Sequence, residues 1–100
     1  MIISEEKALS WGELRLDPET HEAWSNGSLL ELTRTEFRLL GLLLAAQGKV
    51  VTRDDILKEV WGPTPAGRAL DVHMRRLRGK LQDTGEASVV TIRKVGYRLG

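Results

Sequence analysis

The stretch from Arg68 to Leu81 constrains the fold more than any other. On a helix of about 3.6 residues per turn, Leu70, Met74, Leu77 and Leu81 form one narrow stripe. Arg68, Val72 and Arg75 lie opposite it, with His73 and Arg76 on one flank and Arg78 on the other. So narrow a stripe needs a core supplied by other elements, which makes this helix one wall of a layered domain. The outer face carries arginines, whose planar forks of donors suit phosphates and the guanine edge.

Two kinds of element precede it. Ala8–Trp11, Leu14–Asp17, His21–Ser25 and Ser28–Glu31 read as short strands separated by turn residues. Asn26-Gly27 predicts a two-residue hairpin, because a type I′ turn needs positive φ at both positions. Residues 8–32 are therefore expected to form a small antiparallel sheet. At Thr33 the pattern changes, since Thr33-Arg34-Thr35-Glu36 has the spacing of a capping box. The spacing predicts a helix from about Arg34 to Gln47, burying Phe37, Leu40, Leu43 and Leu44 and stopping at Gly48. Val50-Val51 reads as an extended link. Thr52 then caps a second helix with Asp54 and Asp55 in its first turn, Ile56, Leu57, Val60 and Trp61 on its apolar side, and Gly62-Pro63 at its end. Residues 63–67 form a stiff connector to the arginine helix, expected over 68–82. After a polar turn at Asp83–Glu86, Ser88–Lys94 is β-branched and extended, Val95-Gly96 turns, and Tyr97–Leu99 returns.

Charge indicates what this arrangement serves. The net charge is only +1, yet residues 1–36 hold three basic and eight acidic side chains, a net of −5. Residues 67–100 hold eight and three, a net of +5, so the basic end is the arginine helix with the hairpin after it. Binding depends on such a local patch rather than on the total. One hundred residues are enough for one domain, expected at 8–100 behind a loose N-terminus at 1–7.

Other classes are disfavoured. The chain has no cysteine, which excludes disulfides and thiolate zinc sites. The longest apolar run, Leu39–Ala46, is too short to span a bilayer, and residues 1–7 lack a signal-peptide layout. A cytoplasmic chain with no membrane partner is expected. There is no glycine-rich phosphate loop, no nucleophile beside a base and no carboxylate pair in an apolar frame, so neither an enzyme nor a cofactor is expected. His21 and His73 are far apart in sequence, and no metal site is expected.

A helix–connector–helix followed by a basic hairpin is the layout of a winged helix-turn-helix. The expected fold is therefore α+β, with an N-terminal antiparallel sheet, three helices and a C-terminal β-hairpin wing. Its recognition helix would enter the DNA major groove, and its wing, over 89–99, would meet the minor groove. The competing reading is a protein-interaction module on the same fold, its basic face turned to an acidic partner. A gel shift at two salt concentrations separates the two.

Four blocks carry a family resemblance. They are Leu32-Thr33-x-Thr35-Glu36-Phe37-x-Leu39-Leu40, Val51-Thr52-Arg53-x3-Leu57-x2-Val60-Trp61-Gly62, Asp71-Val72-His73-x-Arg75-Arg76-Leu77-Arg78-x-Lys80-Leu81 and Thr91-Ile92-Arg93-x2-Gly96-Tyr97-Arg98. Together, over residues 8–100, the chain resembles the C-terminal effector domain of OmpR/PhoB-type response regulators of two-component systems. The resemblance implies that Val72 and Arg76 face base edges, with Asp71 nearby, and that Arg93 enters the minor groove. It puts Trp61, Arg68, His73, Arg75, Arg78, Thr91 and Tyr97 against the sugar-phosphate backbone. It also implies a second copy on adjacent DNA and, in some members, RNA polymerase contact through the connector. Two positions depart from the family pattern. Lys94 stands where glycine is usual, so either a charge replaces the close backbone approach to phosphate or the wing shifts, and the connector is about two residues short, which counts against polymerase contact through it.

The residues themselves leave plainer alternatives open. Arg78 borders the buried stripe and could pair with a carboxylate, and His73 could be a packing histidine. Asp71 is better placed to orient an arginine than to touch DNA. Trp61 and Tyr97 combine an apolar body with a polar tip. Lys94 and Arg98 also suit a charged edge strand.

Overall fold

The computed structural model describes residues 8–63, 67–82 and 88–100, with side chains from residue 69 onward in the third helix. Residues 1–7, the 64–66 part of the connector and the Asp83–Glu86 turn lie outside the described residues. Strands β1 (Leu9–Trp11), β2 (Leu14–Asp17), β3 (Glu22–Ser25) and β4 (Ser28–Leu29) form an antiparallel meander in that order. Asn26 and Gly27 close the β3–β4 hairpin at φ 52° and 83°, the double positive φ of a type I′ turn. His21, expected in a strand, has φ 58° and belongs to the turn before β3.

Helix α1 (Arg34–Ala45) begins with the expected capping box: Glu36 N–H donates to Thr33 Oγ1 at 3.1 Å, and Thr33 N–H donates to Glu36 Oε1 at 2.9 Å. It ends two residues earlier than the spacing predicts, because Gln47 and Gly48 both adopt positive φ. The Gly48 turn is packed under Trp11, whose ring lies 2.6 Å from where a Cβ would stand. That contact ties the first sheet to the end of α1.

The second sheet contains an element the sequence did not show. The Val50-Val51 link becomes strand β5 (Val51–Thr52), which pairs with β7 (Gly96–Leu99), and β7 pairs with β6 (Val89–Ile92). The wing turn also begins two residues earlier than expected and ends one earlier, at Arg93–Val95, with Ile92 opposite Gly96. Gly96 belongs to the strand because β5 runs against it: a Cβ there would lie 2.0 Å from the Val51 carbonyl oxygen. Val95 N–H donates to Ile92 O at 2.9 Å, and Lys94 has φ 64°. Lys94 thus keeps the left-handed backbone that suits glycine at the third position of a type II turn, and the hairpin closes in register around it.

Helix α2 (Arg53–Trp61) starts at Thr52, whose Oγ1 accepts from Asp55 N–H at 3.2 Å, and helix α3 runs over Gly67–Gln82. The core lies between the first sheet, the three helices and the wing. It holds Leu14 and Leu16, Phe37, Leu39, Leu40, Leu43 and Leu44, Ile56, the whole α3 stripe, and Val89, Tyr97 and Leu99. In α2 only Ile56 is fully buried, and Leu57, Val60 and Trp61 pack on the core edge. Each buried leucine contributes about 1.5–3 kcal/mol relative to exposure. Among the described residues no helix is long and apolar enough to cross a membrane.

One charge sits inside this core. Glu36 is 1% exposed, and Lys80 of α3 reaches its Oε1 at 2.5 Å and the Glu31 carbonyl at 2.8 Å. Burial pushes the Glu36 carboxyl up, but Lys80 and the Thr33 amide outweigh it and hold the pKa below the ordinary 4.5. The pair fastens the C-terminal half of α3 to the cap of α1.

Candidate nucleic-acid interface

Burial of Leu70, Met74, Leu77 and Leu81, each at most 1% exposed, sets the rotation of α3. The opposite face therefore points outward: Val72 is 41% exposed, and Asp71, Arg75 and Arg76 are exposed beside it. Arg68 belongs to α3 by its backbone, while its side chain lies outside the described residues. Arg93 and Lys94 are exposed at the wing tip, and Thr91 is exposed on β6. The helix face and the wing are joined by a groove of about 300 Å³ lined by Asp71, Met74, Arg75, Arg78, Thr91 and Tyr97.

The groove is braced by polar contacts. Arg78 donates from Nε to the Val89 carbonyl at 3.1 Å and from a terminal nitrogen to the Thr91 hydroxyl. Arg78 thus bonds to the wing strand rather than to a carboxylate. His73 is half-buried, with Nδ1 buried and lacking a hydrogen-bond partner among the described residues. Its ring sits 5.9 Å from that of Trp61, tilted by 41°, so this histidine packs as well as facing the site's edge.

Asp71 organises the other side of the groove. Its Oδ1 accepts from Arg53 at 2.6 Å and from the Tyr97 hydroxyl at 2.8 Å. Arg53 and Tyr97 hold the Asp71 carboxyl below its ordinary 3.8. Burial, then Asp71, pushes the Tyr97 phenol up, and Asp71 raises the Arg53 guanidinium. Tyr97 is only 6% exposed, so its hydroxyl sits at a fixed point.

The structure thus brings Arg75, Arg78, Thr91 and Tyr97 together along one groove and Trp61 against His73, and leaves Val72, Arg76, Arg93 and Lys94 exposed. Arg53 was missed by the sequence reading. Its only signal was indirect: an aspartate in an otherwise basic helix requires a cation close by. Among the described residues no group of three or more His, Asp or Glu side chains could hold a metal ion.

Comparison with known proteins gives three results. The family described as "Transcriptional regulatory protein, C terminal" matches residues 27–99. The response regulator MprA of Mycobacterium leprae (strain TN) is 45% identical over 96% of this chain, and the chain spans 43% of that relative's length. Among solved structures, the Klebsiella pneumoniae RstA DNA-binding domain in complex with RstA box aligns with a TM-score of 0.81 at 33% identity, covering 94% of this chain and 97% of that one. The DNA binding domain of CpxR from E. coli aligns with a TM-score of 0.80 at 42% identity, covering 92% and 94%.

Proposed function

Because the chain belongs to the family of C-terminal domains of transcriptional regulatory proteins, the OmpR/PhoB-type effector domains, we propose that it binds double-stranded DNA as the reading head of a two-component response regulator. Helix α3 enters the major groove and the wing meets the adjacent minor groove. Arg76 and Val72 read base edges and Arg93 probes the minor groove. Trp61, Arg68, His73, Arg75, Arg78, Thr91, Lys94 and Tyr97 set register against the sugar-phosphate backbone.

The observation that carries this reading is the exposed α3 face beside a groove shared with the wing. Val72, Arg75 and Arg76 stand outward opposite a fully buried stripe, a polar groove links Arg75 to Thr91 and Tyr97 of the wing, and Arg93 and Lys94 are exposed in the wing turn. The solved relative with the RstA box supports it as a DNA complex of the same fold. A single reading helix gives a short half-site, so a second copy on neighbouring DNA is part of the proposal. The domain works in the cytoplasm.

The test is a duplex-DNA gel shift at two salt concentrations, with DNA selected from a random pool. Arg76→Ala is expected to cost about 1–3 kcal/mol and relax preference at one base position. Arg75→Ala is expected to weaken all sequences alike and flatten the salt dependence by about one unit. Unchanged affinity of both variants for selected and random DNA would end this reading.

A further inference from the structure

One charge on the DNA-facing side has the wrong sign. The Asp71 side chain is 52% exposed beside Val72, where every approaching phosphate repels it. Two structural explanations for an acid here do not hold. It lies beyond the first turn of α3, so it does not complement the helix dipole. A half-exposed ion pair is also worth little to stability.

Building on the DNA-binding reading, we infer that Asp71 is a positioning residue that sets sequence discrimination: it ties α2, α3 and the wing at one mutual angle and withholds Arg53 from indiscriminate phosphate contact. The geometry carries this. Arg53 is the first residue of α2, Asp71 is in α3 and Tyr97 is in β7, and all three meet at Asp71 Oδ1. Arg53 is held at both ends, because its backbone N–H donates to the wing-turn carbonyl of Val95 at 3.1 Å. Tyr97 is held by burial and by pairing with Val51 across β5. The recognition helix therefore cannot rotate against the wing without breaking a charge-assisted bond. An anion on this face lowers affinity for every sequence, so its benefit must lie in the difference between sequences.

The experiment compares wild type, Asp71→Asn, Arg53→Gln and the double variant. Each is titrated against the duplex that wild type selects from a random pool and against a random duplex of equal length, across a salt series. Asp71→Asn is expected to bind the random duplex several-fold tighter, with a salt slope steeper by about one as Arg53 joins the phosphate contacts. Binding to the selected duplex stays level or weakens, so discrimination falls about tenfold. Adding Arg53→Gln returns the slope to the wild-type value. Arg53→Gln alone loosens the same tie and lowers discrimination without steepening the slope.

Asp71→Asn shifting both duplexes by one common factor, or neither, overturns the inference. An equally steep slope in the double variant does so too, because it assigns the effect to charge alone. If wild type itself shows no salt-dependent duplex binding, the DNA reading fails and takes this inference with it. If wild type binds and Asp71→Asn discriminates normally, only this inference fails.

Discussion

Helix α3 is fastened by a carboxylate toward each end, and the two fastenings are opposites. Toward the C-terminus Lys80 reaches Glu36, which is 1% exposed and also accepts from the cap amide of α1. Toward the N-terminus Arg53 and Tyr97 reach Asp71, whose side chain is half in water. Removing a buried partner leaves polar groups with nothing to bind, so the Glu36 tie acts on stability. An exposed pair is screened, so the Asp71 tie contributes no more than about 1 kcal/mol to stability and acts chiefly on geometry. One helix thus separates holding the fold from aiming the reading surface.

The largest expected effect removes what both ends share. Leu77→Ala, between the two ties and itself 0% exposed, should cost about 2–5 kcal/mol in urea unfolding with an unchanged m-value. Next comes Glu36→Gln, expected to cost about 1–3 kcal/mol because the Lys80 ammonium loses its counter-charge, while the Thr33 amide keeps a neutral oxygen to donate to. The folded pKa of Glu36 lies below its ordinary 4.5, so its stabilisation is present above that pH and lost as pH falls through the folded value. The variant should lack that part of the acid dependence when melting temperature is followed from neutral to acid pH. Asp71→Asn should cost less than about 1 kcal/mol in the same unfolding assay. A loss larger than that of Glu36→Gln would reverse the comparison. The smallest effect belongs to the wing. Lys94→Gly relieves a left-handed lysine worth about 1–2 kcal/mol but adds about 0.5–1 kcal/mol of unfolded-state freedom, so the melting temperature should rise only slightly.

What was legible in the sequence was local. The α3 stripe, the Thr33–Glu36 box, the Thr52 cap and the Asn26-Gly27 hairpin each depend on residues within a few positions of one another, and each appears in the structure. Strand β5 did not show, because two residues carry no periodicity and their partner Tyr97 is distant in the chain. The wing turn shifted for the same reason. Gly96 looks like a turn glycine until the Val51 carbonyl against it is known. In the site, the outward arginines followed from helical geometry. Arg53 did not, because nothing in the run Thr52-Arg53-Asp54 says that its side chain crosses to another helix. The arginines also divide by what they touch: Arg78 grips the wing strand, whereas Arg75 and Arg76 stand exposed.

Strand β5 also has a consequence in time. It comes from residue 51 and completes a sheet whose other strands lie at 89–99, with all of α2 and α3 between them. Closing that long loop costs entropy before any pairing rewards it. The helices and the β3–β4 hairpin need only near neighbours, so in refolding they lead and the β5–β7 seam follows. Pulse-labelled amides of the helices should therefore gain protection before those of Val51 and Tyr97, and the aimed surface is the last part of the molecule to exist.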